Sequence, residues 1–329
     1  MDDSTGKPVQ NSAYGDSPVS FLSMNDLENE DRLDGPAAGA RIPRRVQTGD
    51  RIGIAALSGV VDPERLQRGV QAVRALGFEA VLGSNLTARQ GFLAGTDEQR
   101  LGAFEELLRD ESLAAIWFAR GGYGATRLLP KVNWELLTTT PRVYLGYSDL
   151  TPLLLEIERR TGWASLHAPM VAADLAEGLE SGEQQALLAA LGGTVLEPII
   201  GRQATGSFSV EGIVRGGCLS MLVAAVGTEY TPQLSEILLL EDVDEPQYRL
   251  DRMVTQLAQS GALAPVQAVA VGCKEEDDAG WLEVLEATGL PALVGLNVGH
   301  TRPNYVIPLG ARARLTPSGL TVANSEVPL

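Results

Sequence analysis

The sequence predicts an α/β protein of two modules, the first built on a parallel sheet. Three observations carry that prediction. A chain of 329 residues exceeds what one small core accommodates and suits two domains of ordinary size. Short apolar runs alternate with stretches of helical spacing, a pattern that needs crossover connections and therefore parallel strands. An acidic, glycine-containing stretch over residues 172–208 interrupts the alternation, which then restarts. The expected parts are a polar acidic tail or arm over 1–45, an N-terminal module over 46–171, a linker over 172–208 and a C-terminal module over 209–329.

Each element has a local reason. The first 45 residues are acidic with little periodicity, as in NDLENEDRLDG, and cannot bury much apolar surface. RIGIAAL (51–57) is a short buried-strand run. PERLQRGVQAVRAL (63–76) has helical spacing, opens with Pro63 after the N-cap residue Asp62, and stops at Gly77. FEAVL (78–82) is a second strand, DEQRLGAFEELLRD (97–110) a second helix, LAAIWFA (113–119) a third strand and VYLG (143–146) a fourth. A helical run follows from about Asp149 to Arg160, and GWASLHAP reads as a strand entering a polar loop. Beyond the linker, GIVRGGCLSMLVAAVG, ILLLEDVDEPQYRLDRMVTQLAQSG, VQAVAVG and PALVGLNVGH restart strands and helices.

Composition narrows the partners. With 44% hydrophobic and 21% charged residues the chain is globular, and its formal charge of −16 repels phosphate backbones and anionic headgroups. Neither nucleic acid nor a membrane surface is expected. No apolar run approaches the roughly 18 to 20 residues of a membrane helix. The opening MDDSTGKPVQ lacks the basic and apolar regions of a signal peptide, so a cytoplasmic location is expected. Cys218 and Cys273 form no Cys-x-x-Cys pattern, which points to neither a disulfide framework nor a zinc site.

Four constellations could carry chemistry. Arg120-Gly121-Gly122-Tyr123-Gly124 follows an apolar run, where glycines free backbone N–H groups to face an anion or oxyanion; a tight strand-to-helix turn would look the same. In GYSDLTPLLLEIE, Ser148 sits where a strand–turn–helix elbow would expose a nucleophile, though local sequence favours a helix cap with Asp149 at the positive end of the dipole. The second glycine of G-x-S-x-G is absent. A serine nucleophile needs a base, and only His167 and His300 are available. His300, in the loop VGHTRPN, has the exposure a base requires, whereas His167 in SLHAP reads as structural. Glu241, at the end of LLLE, could orient an imidazole, or could belong to a solvated acidic turn with Asp242, Asp244 and Glu245.

In order, RGGYG, GYSD, GGxLS, LLLEDVDEPQYRLDRM and GHTRPNYVIPLGARARL resemble the LD-carboxypeptidase family of serine peptidases over about Val46 to Leu315. That resemblance implies a Rossmann-like N-terminal domain, a β-rich α/β C-terminal domain, an active site at their junction and a homodimer. It implies a triad of Ser148, Glu241 and His300, with the N–H groups of Gly122 and Asp149 as oxyanion donors and no metal or cofactor. Arg120, Tyr123 and Arg302 are candidate contacts for an anionic substrate, with Arg127 also near the motifs. The implied reaction removes the C-terminal D-alanine of a cytoplasmic murein tetrapeptide in peptidoglycan recycling. Alternatives are a microcin C-type self-immunity peptidase acting on aminoacyl-adenylate analogues and a catalytically silent muropeptide-binding protein. The chain departs from the pattern at Cys218, where many relatives carry Asn, at IAALSG, which lacks a proline before the serine, and at LHAPM in place of Thr-His-Gly-Pro.

Overall fold

A computed structural model describes residues 42–323. The stretch before the linker contributes β1 (Arg51–Ala55), β2 (Glu79–Leu82), β3 (Leu113–Phe118), β4 (Val143–Gly146) and β5 (Ser165–His167). Between them lie helices α1 (Pro63–Ala75), α2 (Asp97–Arg109), α3 (Trp134–Thr139) and α4 (Thr151–Thr161). Helix α5 (Ser181–Gly192) precedes β6 (Ile199–Ile200), β7 (Gln203–Ala204) and β8 (Val210–Cys218). Then come α6 (Leu219–Ala225), β9 (Ile237–Glu241), α7 (Gln247–Gln259), β10 (Ala268–Gly272), α8 (Asp278–Glu286), β11 (Ala292–Leu296), β12 (Ile307–Leu309), β13 (Arg312–Thr316) and β14 (Gly319–Val322).

The strands make a six-stranded sheet, β12-β5-β4-β3-β1-β2, and an eight-stranded sheet, β6-β14-β13-β8-β9-β10-β11-β7. In the first, β5-β4-β3-β1-β2 are all parallel. In the second, β8-β9-β10-β11 are parallel and the outer strands antiparallel. Central strands covered on both faces should be apolar throughout, and LAAIWF of β3 and ILLLE of β9 are buried at every residue. The final Glu of β9 is thus a carboxylate at the end of an otherwise apolar strand.

Local signals set the helix starts. Asp62 accepts a hydrogen bond from the Arg65 N–H at 2.8 Å, and Thr96 with Gln99 forms a reciprocal capping box. The expected helix at Asp149 begins as a 3₁₀ turn, Ser148–Leu150, that runs into α4 without a capping side chain. The stretch read as a linker carries α5, which buries Leu187, Ala190 and Leu191, and its β6 and β7 form the two edges of the second sheet. Of the expected arm, residues 1–41 lie outside the described residues; Ile42 is fully buried.

Strand β12 positions the site. It leaves the second half of the chain to pair antiparallel with β5, setting Ile307 opposite His167. The loop before it, which holds His300, is therefore drawn against the C-terminal ends of β4 and β5. Such ends are where open α/β sheets take ligands. No helix among the described residues is long and apolar enough to cross a membrane.

Candidate active site

Ser148 follows β4 and has φ 61°, a left-handed conformation that non-glycine residues adopt rarely and at a cost in strain. No side chain caps this turn, so Ser148 does not serve as a helix cap; it sits at the strand-to-helix junction. The strain is held by Asp149, whose buried carboxylate accepts from Ser58 Oγ at 2.6 Å and from the Ala125 N–H at 2.9 Å. One side chain thereby ties the loops after β1, β3 and β4.

The glycine loop after β3 lies directly against the elbow. A Cβ at Gly121 would be 3.0 Å from Ser148 Oγ and 3.4 Å from the Asp149 nitrogen, so a side chain there would crowd the hydroxyl. The Gly121 carbonyl accepts from the Gly59 N–H at 3.1 Å. Because C=O and N–H point oppositely across a trans peptide, that bond turns the Gly122 N–H away from Gly59.

Glu241 is fully buried, which excludes the solvated acidic turn. Its Oε2 lies 2.6 Å from Nδ1 of His300. Gly299, at φ 80°, makes this possible, since a Cβ there would fall 2.6 Å from the same oxygen. The other carboxylate oxygen, Oε1, faces Nε2 of His167 at 3.6 Å. Burial pushes the Glu241 carboxyl up, but the nearness of the two imidazoles, His167 at 3.6 Å and His300 in a hydrogen bond, outweighs it and holds it at about 2. Burial lowers His300, and the Glu241 hydrogen bond with the charges of Glu241, Asp242 and Asp174 raises it further than burial lowers it.

Ser148 and His300 line a single cavity of 370 Å³ together with Arg120, Gly121, Gly122 and Tyr147. The structure does not bond Ser148 directly to His300; serine–histidine contacts in unliganded sites commonly tighten only with substrate. Arg120 sends Nη1 to the Val60 carbonyl at 3.0 Å and Nε to the Gly121 carbonyl at 3.2 Å, and lines the cavity wall. Two of the other candidates lie elsewhere. Arg302 is tied to Glu177 and to the Gly178 carbonyl, and Arg127 to Asp97. Tyr123 stands on an adjoining depression, edge-on to Phe92 at 5.6 Å.

A family model described as the LD-carboxypeptidase N-terminal domain matches residues 52–168, and one described as the C-terminal domain matches 211–315. The chain belongs to the LD-carboxypeptidase family. Among similar family members, the probable murein peptide carboxypeptidase of Bacillus subtilis is 31% identical over 83% of this chain and 91% of its own. The murein tetrapeptide carboxypeptidase of Pseudomonas aeruginosa is 32% identical over 80% of this chain and 92% of its own. Among solved structures, the microcin C7 self-immunity protein MccF superposes with a TM-score of 0.80 at 23% identity, over 87% of this chain and 99% of that one, and so shares the fold. The LD-carboxypeptidase resemblance read from the five blocks is therefore correct, and so is the mixed α/β fold with a parallel first sheet and a strand-rich second one.

Sequence reasoning passed over three residues here. Ser58 enters only as the serine of IAALSG and is given no role, Gly121 is not separated from its neighbour Gly122, and His167 reads as structural from sequence. The signal for His167 was its place at the end of a strand adjacent to the one ending in the elbow; β4 and β5 pair Gly146 with His167.

Proposed function

We propose that this family member is a serine carboxypeptidase that removes the C-terminal D-alanine from murein tetrapeptides, with Ser148, Glu241 and His300 as its triad. The observation that carries the reading is the left-handed Ser148 on a cavity wall shared with a histidine that is bonded to a buried carboxylate. With Nδ1–H donated to Glu241 Oε2, the His300 Nε2 is left as acceptor for the Ser148 proton. Oγ attacks the scissile carbonyl, and the N–H groups of Gly122 and Asp149 receive the oxyanion, each donor being worth about 3 kcal/mol. His300 returns the proton to the leaving amine, D-alanine departs, and water attacks the acyl-enzyme by the same route in reverse.

Two arginines line the cavity: Arg65 is held by the Ala172 and Ala173 carbonyls and by Glu177, so Arg120 is the cation better suited to the free carboxylate of the departing residue. Tyr123, paired with Phe92, borders the neighbouring depression that shares Arg120 and Gly122 with the cavity, and suits a more distant part of the peptide. Arg302, engaged by Glu177, has the weaker claim on substrate. The reading includes the division into modules over 46–171 and 209–329, a cytoplasmic role in peptidoglycan recycling, and a homodimer, which light scattering on the purified chain tests.

Mass spectrometry on defined peptides decides the activity. Wild type should convert the tetrapeptide to tripeptide plus D-alanine and leave the tripeptide intact, while Ser148→Ala should release none. Equal release by Ser148→Ala would remove Ser148 from the chemistry. The microcin-type alternative, suggested by the fold shared with MccF, predicts instead that an aminoacyl-sulfamoyl adenosine is cleaved and the tetrapeptide is not.

A further inference from the structure

His167 is a buried ionisable group that the proton transfer above does not use. It is fully buried at the end of β5, and neither ring nitrogen has a hydrogen-bond partner within normal distance. Oε1 of Glu241 is buried and equally without a partner. These orphans face each other at 3.6 Å, a few tenths beyond a hydrogen bond. The Tyr147 ring packs against both histidines, 5.5 Å from His167 and 5.0 Å from His300 by ring centres.

We propose that His167 is a positioning residue whose Nε2–H donates to Glu241 Oε1, keeping the carboxylate ionised and turned so that Oε2 meets His300. The proposal rests on the triad of Ser148, Glu241 and His300. A carboxylate wholly removed from water needs a donor at each oxygen, and His300 supplies only one of them. Without His167 the carboxyl would take up a proton more readily. Protonated Glu241 would donate to His300 Nδ1 and force the proton of the ring onto Nε2, the tautomer that cannot accept from Ser148.

The other groups around the pair are Asp242 beside Glu241, Cys218 opposite it on β8, and Asp174, to which Tyr147 donates its hydroxyl at 3.2 Å. All remain in a His167 variant. Losing the His167 donor leaves Glu241 Oε1 without a partner and makes the carboxyl easier to protonate, so the acid limb of kcat/KM should move to higher pH.

Two space-filling variants separate donation from packing. His167→Gln keeps an N–H and should stay within roughly fivefold of wild type, whereas His167→Phe should lose roughly 10- to 100-fold in kcat with little change in KM and a raised acid limb. A Phe variant with wild-type kcat and pH profile would sink the proposal, as would a folded Gln variant as impaired as Phe. Should neither variant fold, ¹⁵N-histidine NMR of the wild-type chain still decides: His167 must carry its proton on Nε2, and an Nδ1–H tautomer overturns the assignment. Failure of the triad reading looks different, as unimpaired D-alanine release by Ser148→Ala.

Discussion

At His300 and Glu241 the local charges set opposite pH demands for catalysis and for stability. Glu241 sits at about 2 against an ordinary 4.5, so its contribution to stability is complete above pH 4.5 and is lost as pH falls toward 2. His300 is raised above its ordinary 6.5, so its contribution is complete below pH 6.5 and is lost as pH rises through the raised value. The pair should therefore stabilise the fold most between pH 4.5 and 6.5. Turnover needs neutral His300, so kcat/KM should climb only above pH 6.5. Urea midpoints of wild type and Glu241→Gln across this range, set beside the pH–rate profile, test both; a gap in midpoints that widens above pH 7 would contradict the assigned signs. Little of this was legible at single residues. Ser148 carried no sign of its left-handed φ, and Glu241 looked like one acid among several because its burial depends on strands distant in sequence.

At the scale of elements, the three loops that follow β1, β3 and β4 meet on one carboxylate. Asp149 satisfies Ser58 and the Ala125 N–H, and holds the elbow that carries Ser148 in its strained conformation. Asp149→Ala would leave buried donors unpaired and release that strain, so stability should fall by about 3 kcal/mol in urea unfolding, with activity lost as well. Asp149→Asn keeps an acceptor oxygen and should recover much of the stability. If the Ala variant unfolds at the wild-type midpoint, the carboxylate does not hold these loops. Strand and helix positions were readable because periodicity and caps are local: VYLG occupies β4 residue for residue, and Asp62 caps α1 as its sequence suggests. The meeting of loop ends on Asp149 was not readable, since GYSD gives no hint that its acid reaches back to the serine of IAALSG.

Over the whole molecule the two sheets are interlocked rather than merely adjacent. β12 is supplied by the second half of the chain to the first sheet, and Arg215 on β8 makes a two-pronged pair, 2.8 Å at each contact, with Glu158 on α4. The Cys218 N–H also donates to Thr151 Oγ1 at the start of α4. Alternating strands and helices announced both sheets, but a strand of three residues, IPL, carries no pattern that would assign it to the other sheet. A fragment of residues 42–208 would keep β1 to β5 yet lack β12, exposing the edge of β5 and leaving buried Glu158 without Arg215. Such a fragment should show weak near-ultraviolet circular dichroism and aggregate, whereas the intact chain should melt in one transition with both sheets lost together. A soluble, monomeric fragment with a native spectrum and its own sharp melt would mean that the halves fold independently. His300 would then be brought to Ser148 by docking of finished domains, and not by the strand that follows it.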